Sequence, residues 1–262
     1  MKKKKILIMG LPGAGKTYLA KILKKIINAD WINADQIRKQ AKDWDFSSEG
    51  RLRQARRMKS LADKALKKNK HVIVDFVCPT PQTRNNFKAD FLIWMDTIKK
   101  SRFKDTNQIF IRPKKYDFRI TKKNAELSAI QIADKIQGYA WNNKNPTAQM
   151  LGRWQPWHEG HQKLFEEVLK KTGQVNIMVK DVCGLEDNPF NFNTVKKNIL
   201  KALKNFKKRT KITLVPNITN VCFGRTVGYN VEEIVLDKKI QKISATKIRA
   251  KMRKEGKLKQ LF

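Results

Sequence analysis

The sequence predicts an α/β protein of two domains. Three observations carry that expectation: short apolar runs of strand length alternate with helix-like segments, the alternation stops in a polar stretch near residue 145 and then restarts, and 262 residues give each half room for its own core. Apolar residues at 40%, with 13 Phe and 6 Trp, exclude a disordered basic tail despite 31% charged residues.

In the first half Ile6-Leu7-Ile8-Met9 reads as a buried parallel strand, because a strand covered on both faces is apolar at every position. Residues 16–27 come next as a helix, and residues 51–68 as a second helix with basic residues on its exposed faces. His71-Val72-Ile73-Val74-Asp75 and Phe91-Leu92-Ile93-Trp94-Met95 are further strands, and strands separated by helices imply a parallel sheet. The pattern breaks at Asn142-Asn143-Lys144-Asn145-Pro146, which places a linker at 142–147 between domains 1–141 and 148–262. After it, residues 148–152 read as a strand, 161–171 as a helix, Val175-Asn176-Ile177-Met178-Val179 as a strand and 194–206 as a helix. Ile212-Thr213-Leu214-Val215 and Glu233-Ile234-Val235-Leu236 read as strands and residues 245–253 as a closing helix. About 115 residues suffice for a small open α/β sheet. No internal repeat relates the halves.

Lys and Arg number 58 against 23 Asp and Glu, a net charge of +35, which suggests a polyanionic partner. The excess consists of 44 Lys and 14 Arg and is spread: residues 1–145 carry 34 basic and 13 acidic residues, residues 146–262 carry 24 and 10. A dedicated nucleic-acid surface concentrates charge on one element and favours Arg, so the spread disfavours nucleic acid. Abundant Lys, Asn and Ile fit an AT-rich coding sequence. No apolar run reaches the roughly 18 to 20 residues of a membrane span, and MKKKKILIMG leads into a phosphate loop rather than a cleavage site. Cys78, Cys183 and Cys222 have no paired spacing, which gives neither a disulfide framework nor a zinc pattern and fits a reducing cytoplasm.

Gly10-Leu11-Pro12-Gly13-Ala14-Gly15-Lys16-Thr17 matches G-x-x-x-x-G-K-[ST] between an apolar strand and a helix. Gly10, Gly13, Ala14 and Gly15 let backbone N–H groups point at phosphates at a helix N-terminus. Lys16 then contacts the β- and γ-phosphates, and the Thr17 hydroxyl a magnesium ion. Asp75, ending its strand, is placed as a carboxylate for Mg²⁺ or its water.

The acceptor side is read from residues 32–84. Ile32-Asn33-Ala34-Asp35-Gln36-Ile37-Arg38, then residues 45–57 with Phe46, Arg51, Arg53, Arg56 and Arg57, then residues 72–84 with Cys78-Pro79, resemble the acceptor-side motifs of adenylylsulfate kinases over roughly residues 4–105. The resemblance implies that Asp35 is a base or orienter near the acceptor hydroxyl. It implies also that Arg38, Arg51 and Arg56 bind acceptor anions and that Phe46 stacks on the acceptor's adenine. Independently of the family, phosphoryl transfer to an anionic acceptor is positioning plus charge neutralisation by guanidiniums. Arg53 is the candidate for a merely solvated position. Asn33 stands where the family has an acid, and the basic lid is shortened to Ser101-Arg102-Phe103-Lys104-Asp105-Thr106, in which Arg102 is placed to reach the nucleotide.

Two of the three histidines fall in Gly152-Arg153-Trp154-Gln155-Pro156-Trp157-His158-Glu159-Gly160-His161, between a strand and a helix. Zinc lacks a third clustered ligand there. The segment looks like the HxGH signature of nucleotidylyltransferases, in a form similar to nicotinamide mononucleotide (NMN) adenylyltransferases. Ile243-Ser244-Ala245-Thr246-Lys247-Ile248-Arg249 resembles that superfamily's I-S-x-T-x-x-R, and Asn188-Pro189-Phe190 and Val215-Pro216-Asn217-Ile218 resemble the same branch. The resemblance covers residues 148–255 and implies a Rossmann-like second domain that transfers a nucleotidyl group and releases pyrophosphate. The resemblance implies that His158 and His161 stabilise the transferring phosphate and that Arg249 and Lys247 neutralise the leaving group. Gly152, Arg153, Gly160, Ser244 and Thr246 complete the nucleotide site, Lys180 is a further phosphate candidate, and Trp154 and Trp157 divide between ring stacking and core.

The whole is therefore expected to be a bifunctional enzyme, an adenylylsulfate-kinase-like P-loop domain joined to a transferase, similar to two-domain proteins of tailed phages of marine bacteria and so at work in a host cytoplasm. ATP serves both domains, with CTP an alternative in the second, Mg²⁺ assists, and the partners are small phosphorylated or sulfated nucleotide-like substrates; a homo-oligomer is compatible with the sequence. The rival readings are a nicotinamide riboside kinase with an NMN adenylyltransferase, a phosphoadenylylsulfate synthase or a cytidylyltransferase, and, from another class, a nucleic-acid-binding protein or polynucleotide kinase.

Overall fold

The computed structural model describes residues 2–222, 224, 225, 228 and 230–259. The chain divides into two compact units, Met1–Gly138 and Tyr139–Phe262.

The first unit is built on five parallel strands: β1 (Lys5–Gly10), β2 (Asp30–Asn33), β3 (Val72–Asp75), β4 (Phe91–Met95) and β5 (Phe118–Ile120). They lie in the order β2-β3-β1-β4-β5, with β1 buried along its whole length. The period-two alternation of a strand sorts its side chains to two faces. Ile6 and Ile8 join the core formed with Leu19 and Leu23 of α1 (Lys16–Ile26) and Ile132 of α6 (Ala125–Gln137). Leu7 and Met9 join Met58 of α3 (Ser48–Leu66) and Phe87 of α4 (Pro81–Phe87) on the other face. Two covered faces explain why β1 reads as a continuous apolar run. α2 (Ala34–Gln40) and α5 (Lys104–Ile109) complete the unit. β3 and β4 flank β1 on opposite sides, so the strand order reverses at β1; a crevice opens there beyond the strand C-termini. The register Asn33↔Asp75↔Ile8 carries the ends of β2 and β3 to that same edge.

The second unit holds three parallel strands in the order β6-β7-β8: β6 (Ala148–Gly152), β7 (Val175–Lys180) and β8 (Thr210–Val215). Its helices are α7 (Glu159–Thr172), α8 (Phe192–Ala202), α9 (Lys238–Gln241) and α10 (Ala245–Lys254), with a 3₁₀ turn at Lys204–Arg209. The helix expected at 194–206 thus ends at Ala202. The strand expected at 233–236 does not form: Val235 is 77% exposed and no strand among the described residues pairs with it, so an apolar run alone was insufficient. Residues 142–147, expected as a linker, are fastened to this unit by the fully buried Gln174. Its Nε2 donates to the Asn142 carbonyl (2.8 Å) and to Thr147 Oγ1 (2.6 Å), while its Oε1 accepts from the Tyr139 hydroxyl at 2.7 Å.

Candidate functional site

The phosphate loop sits where β1 hands over to α1. Gly10 has φ +146°, and a Cβ there would fall 2.5 Å from the Met95 carbonyl oxygen on the neighbouring strand, so only glycine admits that approach. Ala14 is buried and its carbonyl accepts from Thr97 Oγ1 at 2.8 Å, pinning the loop to the chain after β4. Lys16 Nζ folds back to donate to the Gly10 and Leu11 carbonyls, both at 2.9 Å. Burial lowers its pKa to about 8, with Asp75 and then Asp35 opposing.

Asp75 is held by more partners than the sequence indicated. Thr17 Oγ1 donates to Oδ2 at 2.8 Å, Trp31 Nε1 to Oδ1 at 2.7 Å, and Asn33 Nδ2 lies 3.1 Å from both oxygens. Asn33, buried in place of an acid, therefore donates to Asp75 where a second carboxylate would repel it. Trp31 was missed because its role depends on the pairing of β2 with β3, which no motif spells out. Among the described residues no group of three or more His, Cys, Asp or Glu side chains could hold a metal, but Thr17 and Asp75 offer two adjacent hard oxygen donors, which fit the Mg²⁺ of a bound nucleotide.

One cavity of about 1210 Å³ joins the phosphate loop to the residues expected on the acceptor side. Gly13, Gly15, Lys16, Thr17 and Asp75 line it together with Asp35, Arg38, Phe46, Arg51 and Arg102. Asp35, in the first turn of α2, is exposed. Arg38 is buried and donates from Nη1 to the Asp43 and Asp45 carbonyls, both at 2.9 Å; burial lowers its pKa. Its guanidinium lies 4.6 Å from the half-exposed Phe46 ring and that of Arg51 lies 5.7 Å away. Arg56, expected among the acceptor ligands, is exposed and outside the cavity lining: on α3 it falls on the face turned away. Arg53 is exposed and bonded to Asp43 and Asp45, and Arg57 to Asp43; the bonds from Arg53 and then Arg57 hold the Asp43 carboxyl well below its usual range.

In the second unit His158 caps α7, its Nδ1 accepting from Gly160 N at 3.1 Å. A Cβ on residue 160 would lie 2.9 Å from the His158 ring, so a larger residue there displaces the ring from its cap. The His158 and His161 rings stack at 3.6 Å, and burial, then the neighbouring His158, lowers the His161 pKa to about 3. His161 Nδ1 and Trp157 Nε1 are buried and have no hydrogen-bond partner among the described residues. Trp154 is core: buried, it donates from Nε1 to the Met178 carbonyl at 3.0 Å.

The two end motifs meet through Arg249. Its Nε donates to Asp187 Oδ2 at 2.8 Å, its Nη1 to the Gln155 carbonyl and its Nη2 to Thr246 Oγ1 at 3.2 Å. Buried and engaged at all three nitrogens, this guanidinium, expected at a leaving group, ties α10 to Asp187 and to the loop after β6. Gln155, also buried, exchanges two hydrogen bonds with the Phe190 backbone, at 2.7 and 2.9 Å. Asp187, which also accepts from Arg253, was missed although it directly precedes the Asn188-Pro189-Phe190 motif. Ser244 caps α10, Lys247 is exposed, and Arg153 lies 3.3 Å from Glu186.

Residues 6–91 match the family model of an AAA domain. The first unit carries a P-loop nucleotide-binding domain. Among solved structures, the adenylylsulfate kinase CysC of Mycobacterium tuberculosis in complex with AMPPNP and APS is 18% identical, covering 51% of this chain and 96% of its own, with a TM-score of 0.44. A shikimate kinase from Acinetobacter baumannii is 16% identical over 51% of this chain and 93% of its own, TM-score 0.37. A gluconokinase from Sinorhizobium meliloti 1021 is 12% identical over 79% of this chain and 93% of its own, TM-score 0.30. No curated protein matches the chain. No helix among the described residues is long and apolar enough to cross a membrane.

Proposed function

We propose that the protein is a bifunctional enzyme: residues 1–141 transfer the γ-phosphoryl group of ATP to a small anionic acceptor, adenylylsulfate, and residues 148–262 transfer a nucleotidyl group, adenylyl in the first instance, and release pyrophosphate. The observation that carries the kinase reading is the single cavity in which Lys16 and Thr17 share a wall with Asp35, Arg38 and Arg51. Lys16 exchanges its two carbonyl partners for the β- and γ-phosphate oxygens, and Asp35 orients the acceptor hydroxyl toward them. Thr17 and Asp75 would hold Mg²⁺, which neutralises charge on the bridging phosphate oxygens. Arg38 and Arg51 fix the acceptor's anion, with Phe46 against its ring; Arg56 has no part.

The transferase reading rests on the stacked histidines and on the meeting of the motifs at Arg249. With Nδ1 of His158 accepting from the backbone, its Nε2–H is the free donor for the transferring phosphate. Trp157 Nε1 and His161 Nδ1 are two further polar atoms awaiting a partner, and Lys247 and Arg153 are the exposed cations for the leaving pyrophosphate. Arg249 is reassigned from that task to positioning.

The test supplies ATP·Mg²⁺ with adenylylsulfate or nicotinamide riboside while reading ADP, and ATP or CTP with NMN while reading pyrophosphate. Lys16→Ala is expected to abolish ADP formation and leave pyrophosphate release intact; His161→Ala does the reverse. Loss of both activities in one folded variant refutes two separate sites. ADP formed with nicotinamide riboside but not with adenylylsulfate replaces the acceptor.

A further inference from the structure

Arg51 reaches the kinase cavity already paired. Its Nε donates to the Phe46 carbonyl at 2.7 Å, which fixes the plane of the guanidinium, and its Nη2 donates to the Asp105 carboxylate and, at 3.4 Å, to Thr106 Oγ1. The Arg51 side chain is 14% exposed and that of Asp105 61%, so the pair has one wet side. Asp105 and Thr106 belong to residues 101–109, a segment closed on itself by Ser101 and Asn107. Ser101 N and Oγ each donate to Asn107 Oδ1 at 2.9 Å, and Asn107 Nδ2 returns a bond to the Ser101 carbonyl at 2.9 Å. These bonds brace a segment that also carries Arg102 and Phe103, which line the same cavity.

We propose that Asp105 is an internal anion that latches residues 101–109 onto Arg51 and thereby sets the acceptor's charge requirement. The inference rests on the reading that Arg51 binds the acceptor's anionic group. A carboxylate on the guanidinium edge facing the cavity occupies the position that a sulfate or phosphate oxygen takes. Entry is then an exchange of one anion for another. A half-exposed ion pair is worth little, so a sulfate or phosphate making two parallel bonds displaces it. A neutral hydroxyl compound cannot, and it meets an Arg51 whose Nε and Nη2 stay engaged by the Phe46 carbonyl and Asp105. Arg53 and Arg57 do not substitute for Arg51, because Asp43 and Asp45 hold them outside the cavity.

The test uses the full chain with Asp105→Asn and, as the conservative control, Asp105→Glu. Amide hydrogen exchange of residues 101–109 is expected to quicken several-fold in Asp105→Asn and to stay near wild type in Asp105→Glu, with residues 10–17 unchanged in both. Unaltered exchange in Asp105→Asn overturns the latch whatever the acceptor is. With adenylylsulfate, KM is expected to fall about two- to five-fold in Asp105→Asn, the scale of one exposed ion pair. An equal or higher KM overturns the gate. If the wild type forms no ADP with adenylylsulfate, the acceptor reading fails by itself and inorganic sulfate decides the latch: millimolar sulfate must quicken exchange of residues 101–109 in the wild type and not in Asp105→Asn, and its failure to do so refutes the displacement.

Discussion

Lys16 is the cation of the phosphate loop, and burial has loosened its proton to a pKa of about 8. Phosphate oxygens favour the ammonium form, so nucleotide uptake above that pH takes up a proton as well. Affinity for ADP·Mg²⁺ is expected to be flat below about pH 7.5 and to weaken toward tenfold per unit above about pH 8, the limit for one linked proton. Calorimetry across this range checks it, and Lys16→Arg, which stays charged, is expected to flatten the curve. His161 gives the opposite sign on a different quantity. Its folded pKa of about 3 lies below the 6.5 of a free histidine, so the unfolded chain binds the extra proton in that window. Stability from this group is full above about pH 6.5 and is lost as the pH falls toward 3. Thermal melts of the second unit's tryptophan signal should show this acid sensitivity shrinking in His161→Gln; an unchanged acid limb refutes the assignment. Both residues stand out in the sequence through their motifs. The partners of Asp75 were not, because Trp31 and Asn33 reach it only through the β2–β3 register.

At the scale of elements, β1 and the helix after it could be read because their periodicity and the glycine loop agree. The four-residue β2 could not: half-buried at the sheet edge, it carries no run long enough to stand out. The reverse error at 233–236 has the same cause, since strand identity is settled by a pairing neighbour and that segment has none among the described residues. The tight junction of β1 with β4 yields a sharp expectation. Gly10→Ala places a methyl against the Met95 carbonyl at a φ reserved for glycine. It should cost roughly 1–3 kcal/mol in backbone strain and about as much again in overpacking. A urea melt of the first unit showing less than about 1 kcal/mol of loss would mean that the strands can part. In the second unit α10 is tied down by Asp187, whose carboxyl is held low by its bonds from Arg253 and then Arg249. Asp187→Ala leaves the buried Arg249 short of a partner at a cost of about 1–3 kcal/mol. Because Arg249 also holds the Gln155 carbonyl, pyrophosphate release should fall with it, while ADP formation by the first unit does not. Asp187→Asn, which keeps an acceptor oxygen, is expected to recover part of the loss.

For the molecule as a whole, the net charge of +35 and the cavity make different claims about its partners. The charge is sequence-wide, and the arginines closest to being a patch, on α3, are largely neutralised in place: Arg53 and Arg57 by Asp43, Arg51 by Asp105. What remains is mostly Lys spread over two units, a diffuse positive field. Such a field speeds the approach of any anion but selects none, and it fades over a Debye length of about 8 Å at physiological ionic strength. On the proposed kinase reading, selection belongs to the few buried or cavity-facing cations, Lys16, Arg38 and Arg51, which salt screens much less. The association rate of ADP·Mg²⁺ should therefore fall several-fold from low to physiological salt while its dissociation rate holds nearly constant. Binding to duplex DNA, which has no cavity to enter, should fall steeply on a log–log salt plot and vanish near physiological salt. Stopped-flow fluorescence and a filter-binding series measure the two. DNA binding that survives physiological salt would return the charge to a nucleic-acid role and displace the small-acceptor reading of the first unit.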